Sequence, residues 1–199
     1  MASLVATTPA TALPLTVKTA RDHVRCDSAD DFYIRTALKA ATDFVENFTR
    51  RALAPTTFKL RLDSFSEKPY WVPRKGVIEL PRAPITSVTA ITYVDVDGAT
   101  QTWDAANYQA DVNAEPGRVV TAYGQAWPST RDELEAVTIE YVAGYATPET
   151  VPASISQALL LLVGHFFENR EAVTVGVKSE PLALAVKSLL WPHRILGGI

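Results

Sequence analysis

The spacing of apolar residues changes period twice along this chain, and that change limits the fold more than any motif. From Ser28 to about Arg51, Ile34, Ala37, Leu38, Ala41, Val45 and Phe48 recur every three or four residues, the stripe of a helix with one buried face. From Thr56 the period becomes two: Phe58, Leu60 and Leu62 alternate with Lys59, Arg61 and Asp63, as in a half-buried strand. Short β-branched or aromatic runs follow at Val77–Leu80, Ala90–Val94, Thr100–Trp103, Gly117–Val120 and Val137–Val142, separated by Pro, Gly, Asp or Asn. The helical pattern then returns at Pro152 and Ser154. Such an order reads as α+β: a small bundle of about four helices with an antiparallel β module inserted between the second and third.

Local signals set the boundaries. Thr16 can cap a short helix through about Arg25, and Ser28 with Asp31 forms a near capping box for the long helix after it. Pro181 can open a last helix that Pro192 stops near Trp191. The expected division is therefore 1–54, an N-terminal arm with the first two helices; 55–149, the β module; and 150–199, the long apolar helix, C-terminal helix and tail that complete the core. The arm MASLVATTPATALPL has no basic stretch and is broken by Pro9 and Pro14, so it reads as flexible and as a poor secretion signal. Glu168–Glu180 has no clear period and reads as a loop.

Composition excludes several classes of function. Of 199 residues, 47% are hydrophobic and 21% charged, enough for a sizeable core. A net charge of -3 lacks the polycationic mark of a nucleic-acid binder. The charge is uneven, however: Glu79–Thr150 holds 11 acids against 3 bases. Cys26 is the single cysteine, which rules out an internal disulfide and a multi-cysteine zinc site. The longest apolar run, Ala158–Val163, falls far short of the roughly 20 residues of a membrane span, so no membrane partner is expected.

Three constellations could carry chemistry. His165 and Glu168 have the i, i+3 spacing of helical metal ligands, but the facing carboxylates of a di-metal bundle are missing; with Asn169 they read better as polar contacts between helices or subunits. Asp95–Gly98, DVDG, resembles the middle of a calcium loop, yet Tyr93 stands where the first carboxylate would be. A two-residue Asp-Gly hairpin turn is the better reading. No nucleophile elbow, Walker loop or dinucleotide fingerprint occurs, and His23, His165 and His193 lie in separate contexts. No cofactor is expected. A metal-dependent hydrolase on His165 and Glu168, and a calcium-stabilised tail or adhesion module on DVDG, stand as alternatives.

The unusual feature is apolar surface near the C-terminus. Ala158–Val163 is apolar around the whole helix, which suits either a central core helix or a rod covered by other subunits. Leu189, Trp191, His193, Arg194, Ile195 and Leu196 read as interface anchors.

Taken in order, these segments resemble the head-tail connector, or adaptor, proteins of tailed bacteriophages, in the larger version with a β insertion. The resemblance rests on PLT (14–16), HVR (23–25), Asp30 and Asp31, Ile34, Ala40 and Ala41, Val45 and Glu46, and T-x-RAL ending at Leu53. It continues through ELPRAPITSVTAITYVDVDG, YQAD (108–111), EPGRV (115–119), AYGQAWP (122–128), VAGY (142–145) and VPASISQALLLLVGHFFENREAV. Together these span about 160 residues. One departure is Arg50, where members often have Gly. The resemblance implies a non-enzymatic virion protein of the neck, assembled in the host cytoplasm. Copies would form a ring, a dodecamer, beneath the portal protein and receive a stopper or tail-terminator protein. DNA would pass through without sequence-specific binding. The acids Asp95, Asp97, Asp104, Asp111 and Glu115 could then face the channel, where carboxylates repel phosphate.

Overall fold

In a computed structural model, residues 2–8, 12–66, 76–170 and 180–196 are described. They form α1 (Val17–Val24), α2 (Asp31–Thr49), α3 (Ala153–Glu168) and α4 (Glu180–Leu190), with β1 (Ser3–Thr8), β2 (Thr56–Leu62), β3 (Ile78–Leu80), β4 (Ile85–Val94), β5 (Thr100–Trp103), β6 (Tyr108–Asp111), β7 (Gly117–Thr121) and β8 (Val137–Ala143). The chain divides into two units, one within residues 1–10, 55–144 and 195–199, the other within 11–54 and 145–194. The class is α+β, four helices with antiparallel sheets.

The helical unit is built on the stripe seen in the sequence. Ile34, Ala37, Leu38, Ala41 and Val45 of α2 are buried in one cluster with Ile155, Leu159 and Val163 of α3, Ala20 of α1, and Val186 and Leu190 of α4. Thr16 caps α1 by accepting the Thr19 N–H at 3.0 Å. Ser28 does not cap α2 as expected; it opens a 3-10 turn, Ser28–Asp30, and α2 starts at Asp31. The acids there are drawn to guanidinium groups instead. Asp31 takes two hydrogen bonds from Arg21, at 3.0 and 3.1 Å, and Asp30 pairs with Arg170 at 2.8 Å. Arg50 ends α2 in the left-handed conformation, φ 59°. Glycine takes that conformation without strain, so Arg50 closes the helix in the backbone state a glycine would supply.

Ala158–Val163 is covered within its own unit. Ala158, Leu159, Leu162 and Val163 are buried, and Leu160 and Leu161 are partly buried against the same cluster. Of the two sequence readings, the central core helix holds.

The β unit has a five-stranded antiparallel sheet, order β1-β2-β8-β4-β5, and a three-stranded one, order β3-β7-β6. Strands β2 and β8 alternate strictly, and the register Phe58↔Tyr141, Leu60↔Ile139, Leu62↔Val137 puts their buried residues on one face. The Tyr141 ring stacks on Phe58 at 5.8 Å, and its hydroxyl donates to the Pro81 carbonyl at 2.9 Å. Burial pushes that phenol far above its ordinary range. A second apolar cluster joins Phe65, Tyr93, Trp103 and Trp127, with Phe65 and Trp127 parallel at 4.7 Å. The N-terminal arm is not loose: Ser3–Thr8 pairs with β2 from Ser3↔Arg61 to Thr8↔Thr57, satisfying backbone groups that β2 would otherwise expose as an edge. Strand β6 likewise has no counterpart among the expected strands. Of the Glu168–Glu180 loop, residues 171–179 lie outside the described ones.

Candidate functional site

The C-terminal end of the helical unit gathers most of the residues read as interface anchors. α4 ends one residue earlier than expected, at Leu190, and Pro192 turns the chain into the 3-10 segment Trp191–His193. Two polar contacts pin that turn. The Ser154 hydroxyl, in the first turn of α3, meets His193 Nε2 at 2.6 Å, and the His193 carbonyl accepts from buried Arg51 Nε at 2.6 Å. Arg194 then lies over two rings, its Cζ 5.6 Å from the Phe48 centroid and 5.4 Å from that of Trp191. Phe48 stacks in turn on Phe44 at 6.3 Å, with 11° between planes. The buried Arg194 Nε–H has no acceptor among the described residues, a deficit of about 1–3 kcal/mol for a desolvated donor.

This divides the six anchors. Leu189 is half-buried, and Ile195 is buried in the chain's own packing. His193 and Arg194 are held as just described, while Trp191 is 60% exposed and Leu196 78%. Trp191 and Leu196 are the two of the six that are exposed.

His165, Glu168 and Asn169 sit at the end of α3. The Asn169 side-chain N–H donates to the His165 carbonyl at 2.9 Å and lies 3.1 Å from His165 Nδ1. Asn169 thus closes the helix terminus, and Glu168 is exposed beside it. The neighbouring Arg170 packs between Tyr33 and Phe167, 4.6 and 4.5 Å from their centroids, while ion-paired to Asp30. Among the described residues no group of three or more His, Cys, Asp or Glu could hold a metal ion, and no helix is long and apolar enough to cross a membrane.

The five acids of the β unit have different surroundings. Asp95 closes the hairpin between β4 and β5: its Oδ1 accepts from the N–H groups of Asp97 and Ala99, and its Oδ2 from Gln101. The turn is longer than the expected two-residue Asp-Gly type. Gly98 N–H bonds the Asp95 carbonyl, and of the turn residues only Gly98 has positive φ, 88°, as in a type I turn followed by a left-handed residue. Both carboxylate oxygens of Asp95 are engaged by that turn. Asp104 accepts from the Ala106 N–H at 2.8 Å, and Asp111 pairs with Arg118 at 2.8 Å. Asp97 and Glu115 are exposed.

The Gln101 side chain, then the Ala99 N–H, holds the Asp95 carboxyl below the usual carboxylate range, and Arg118 does the same for Asp111. Lowered carboxylate pKa values stabilise the fold above the ordinary value and cease to do so as pH falls through the folded value. The urea midpoint of the β unit should accordingly drop as pH is taken from about 5 to 3, bracketing the ordinary Asp value of about 3.9. Asp95→Asn should lower the midpoint at neutral pH and lose less on acidification; an identical pH profile in the variant would contradict the assignment.

No family model and no curated protein matches the chain. Solved structures do, over nearly all of both chains. One is a chain in the neck of an empty gene transfer agent (GTA) particle computed with C6 symmetry: 25% identity, TM-score 0.76, covering 99% of this chain and 97% of that one. A second, in the virion of a native GTA particle, has 26% identity and TM-score 0.75 over 98% and 97%. A third, in the neck of a native GTA particle computed with C12 symmetry, has 26% identity and TM-score 0.70 over 100% and 97%. The fold is that of a phage-like neck protein. The resemblance to head-tail connectors drawn from scattered residues therefore holds across the whole chain. The sequence reading put its candidate interface anchors near Trp191. It missed Ser154, Arg51, Phe44 and Phe48, which support them from segments distant in sequence.

Proposed function

We propose that this chain is a structural, non-enzymatic neck protein of a phage-like virion, an adaptor that forms a ring of copies beneath the portal. On its far side the ring receives a stopper or tail-terminator protein. The observation that carries this reading is the full-length likeness to chains from GTA necks, with TM-scores of 0.70 to 0.76. Their C6 and C12 descriptions favour a ring whose order is a multiple of six, and twelve is the copy number proposed. Measuring the mass of portal rings before and after adding the purified chain tests it: a gain of about twelve chain masses supports it, and no gain contradicts it.

Portal contact is assigned to the extreme C-terminus. Leu196 is exposed directly after buried Ile195, so it is presented on an anchored segment with little further ordering on binding. Removing everything from Trp191 onward would also remove His193 and Ile195 from the chain's own packing, which makes a point change the cleaner probe. Leu196→Asp should leave the circular dichroism spectrum unchanged and weaken portal binding about tenfold or more, the scale of a buried anchor. Unchanged binding would remove Leu196 from the interface. For passing DNA, Asp104 and Glu115 are the exposed acids suited to a repelling channel wall; Asp95 and Asp111 would contribute charge from structurally committed positions.

A further inference from the structure

We propose that successive copies in the ring are joined head to tail, the hairpin tip at Val96 and Asp97 of one copy seating in the Phe44–Phe48–Trp191–Arg194 cup of the next. The proposal rests on the ring reading above and adds to it the surfaces that meet. The cup offers a half-buried cation set beside two aromatic rings. Phe48 and Trp191 hold the Arg194 guanidinium in place, yet its buried Nε–H has no acceptor among the described residues. A guanidinium held in this way suits a carboxylate, which would reach it at the accessible part of the half-buried Arg194 side chain. The rim is apolar, because Trp191 and Phe44 are exposed beside it, and an Arg among aromatic side chains is a common centre of a protein interface.

The β unit carries the complement. Val96 is 63% exposed at the hairpin apex, and Asp97 next to it is exposed too. The backbone there is fixed by Asp95 through the Asp97 and Ala99 N–H groups, so the apolar side chain and the carboxylate are presented on a preorganised turn. A segment bonded alongside by Arg131 N–H to the Val94 carbonyl leads to Leu134, which is 80% exposed. Asp97 is the acid of this tip that its own turn does not consume, since both oxygens of Asp95 are engaged. Cup and tip are different surfaces. A contact between unlike surfaces is heterologous, and, repeated by a rotation that closes, it produces a ring, whereas a self-complementary contact stops at a dimer.

Charge reversal on portal-bound rings tests this. Asp97→Arg and Arg194→Glu should each reduce the copies retained per portal about tenfold or more, the scale seen for close interfacial charge pairs. The chain carrying both changes, with the pair restored in reverse, should recover complete rings. Val96→Asp, on an exposed apex where folding is not at stake, should also reduce retention. Complete rings from Asp97→Arg or Val96→Asp, or singles and double equally defective while folded, would overturn the proposed contact and leave the ring reading standing. Absence of rings from the unaltered chain would overturn the ring reading, and this contact with it.

Discussion

Leu159→Ala should lower the stability of the helical unit by about 3–4 kcal/mol, within the range for emptying a buried leucine site. Leu159 is fully buried on α3, in the cluster that α1, α2 and α4 share, so no single neighbour can move in to fill the void. The same change at Leu160, which is only partly buried against that cluster, should cost about 1 kcal/mol, since less apolar surface is returned to water. Urea titration followed by far-UV circular dichroism checks both. Equal effects at the two positions would mean that α3 is covered chiefly by other subunits rather than by its own unit. That comparison bears directly on function, because it separates the surface spent on folding from the surface left for assembly.

Arg51→Ala should cost about 2–3 kcal/mol, the scale of a lost hydrogen bond to a buried charged donor. Its effect should be concentrated at the C-terminal turn. Arg51 Nε donates to the His193 carbonyl from the far side of the turn held by Ser154. Without that bond the Trp191–His193 segment is free to leave the helical unit, and Arg194 loses its fixed place over Phe48. Arg51→Lys should not rescue it, because an ammonium cannot reproduce the planar donor set. Tryptophan fluorescence and proteolysis near residue 191 provide the measurement. A C-terminal segment as protected in Arg51→Ala as in the unaltered chain would show that the turn is held by other means.

Much of this architecture can be read directly from the chain because burial imposes a period. Phe58, Leu60 and Leu62 alternate, and they are the inward residues of β2; Ile34, Leu38, Ala41 and Val45 form a stripe, and they are the core of α2. What stays hidden involves position rather than period. The run SLVATT has exposed residues at four of its six positions in β1, so no alternation betrays an edge strand. Arg50 takes a glycine conformation that its side chain does not advertise. The Ser154–His193 contact joins residues 39 apart, and the cup draws Phe44 and Phe48 from α2 together with Trp191 and Arg194 from the end of the chain. The apolar rod Ala158–Val163 has two physical explanations in the sequence, and only packing decides between them. Its burial is why Trp191, Leu196 and the hairpin tip, rather than α3, are the surfaces proposed for assembly.

We propose that this chain serves as one copy in a ring between portal and tail. Electron-microscopic averaging of portal rings mixed with the purified chain measures it most directly. An added density layer is expected on the tail-side face of the portal, with rotational symmetry matching a twelve-membered ring. Portal averages with no added layer, alongside a folded chain that remains free in solution, would contradict it.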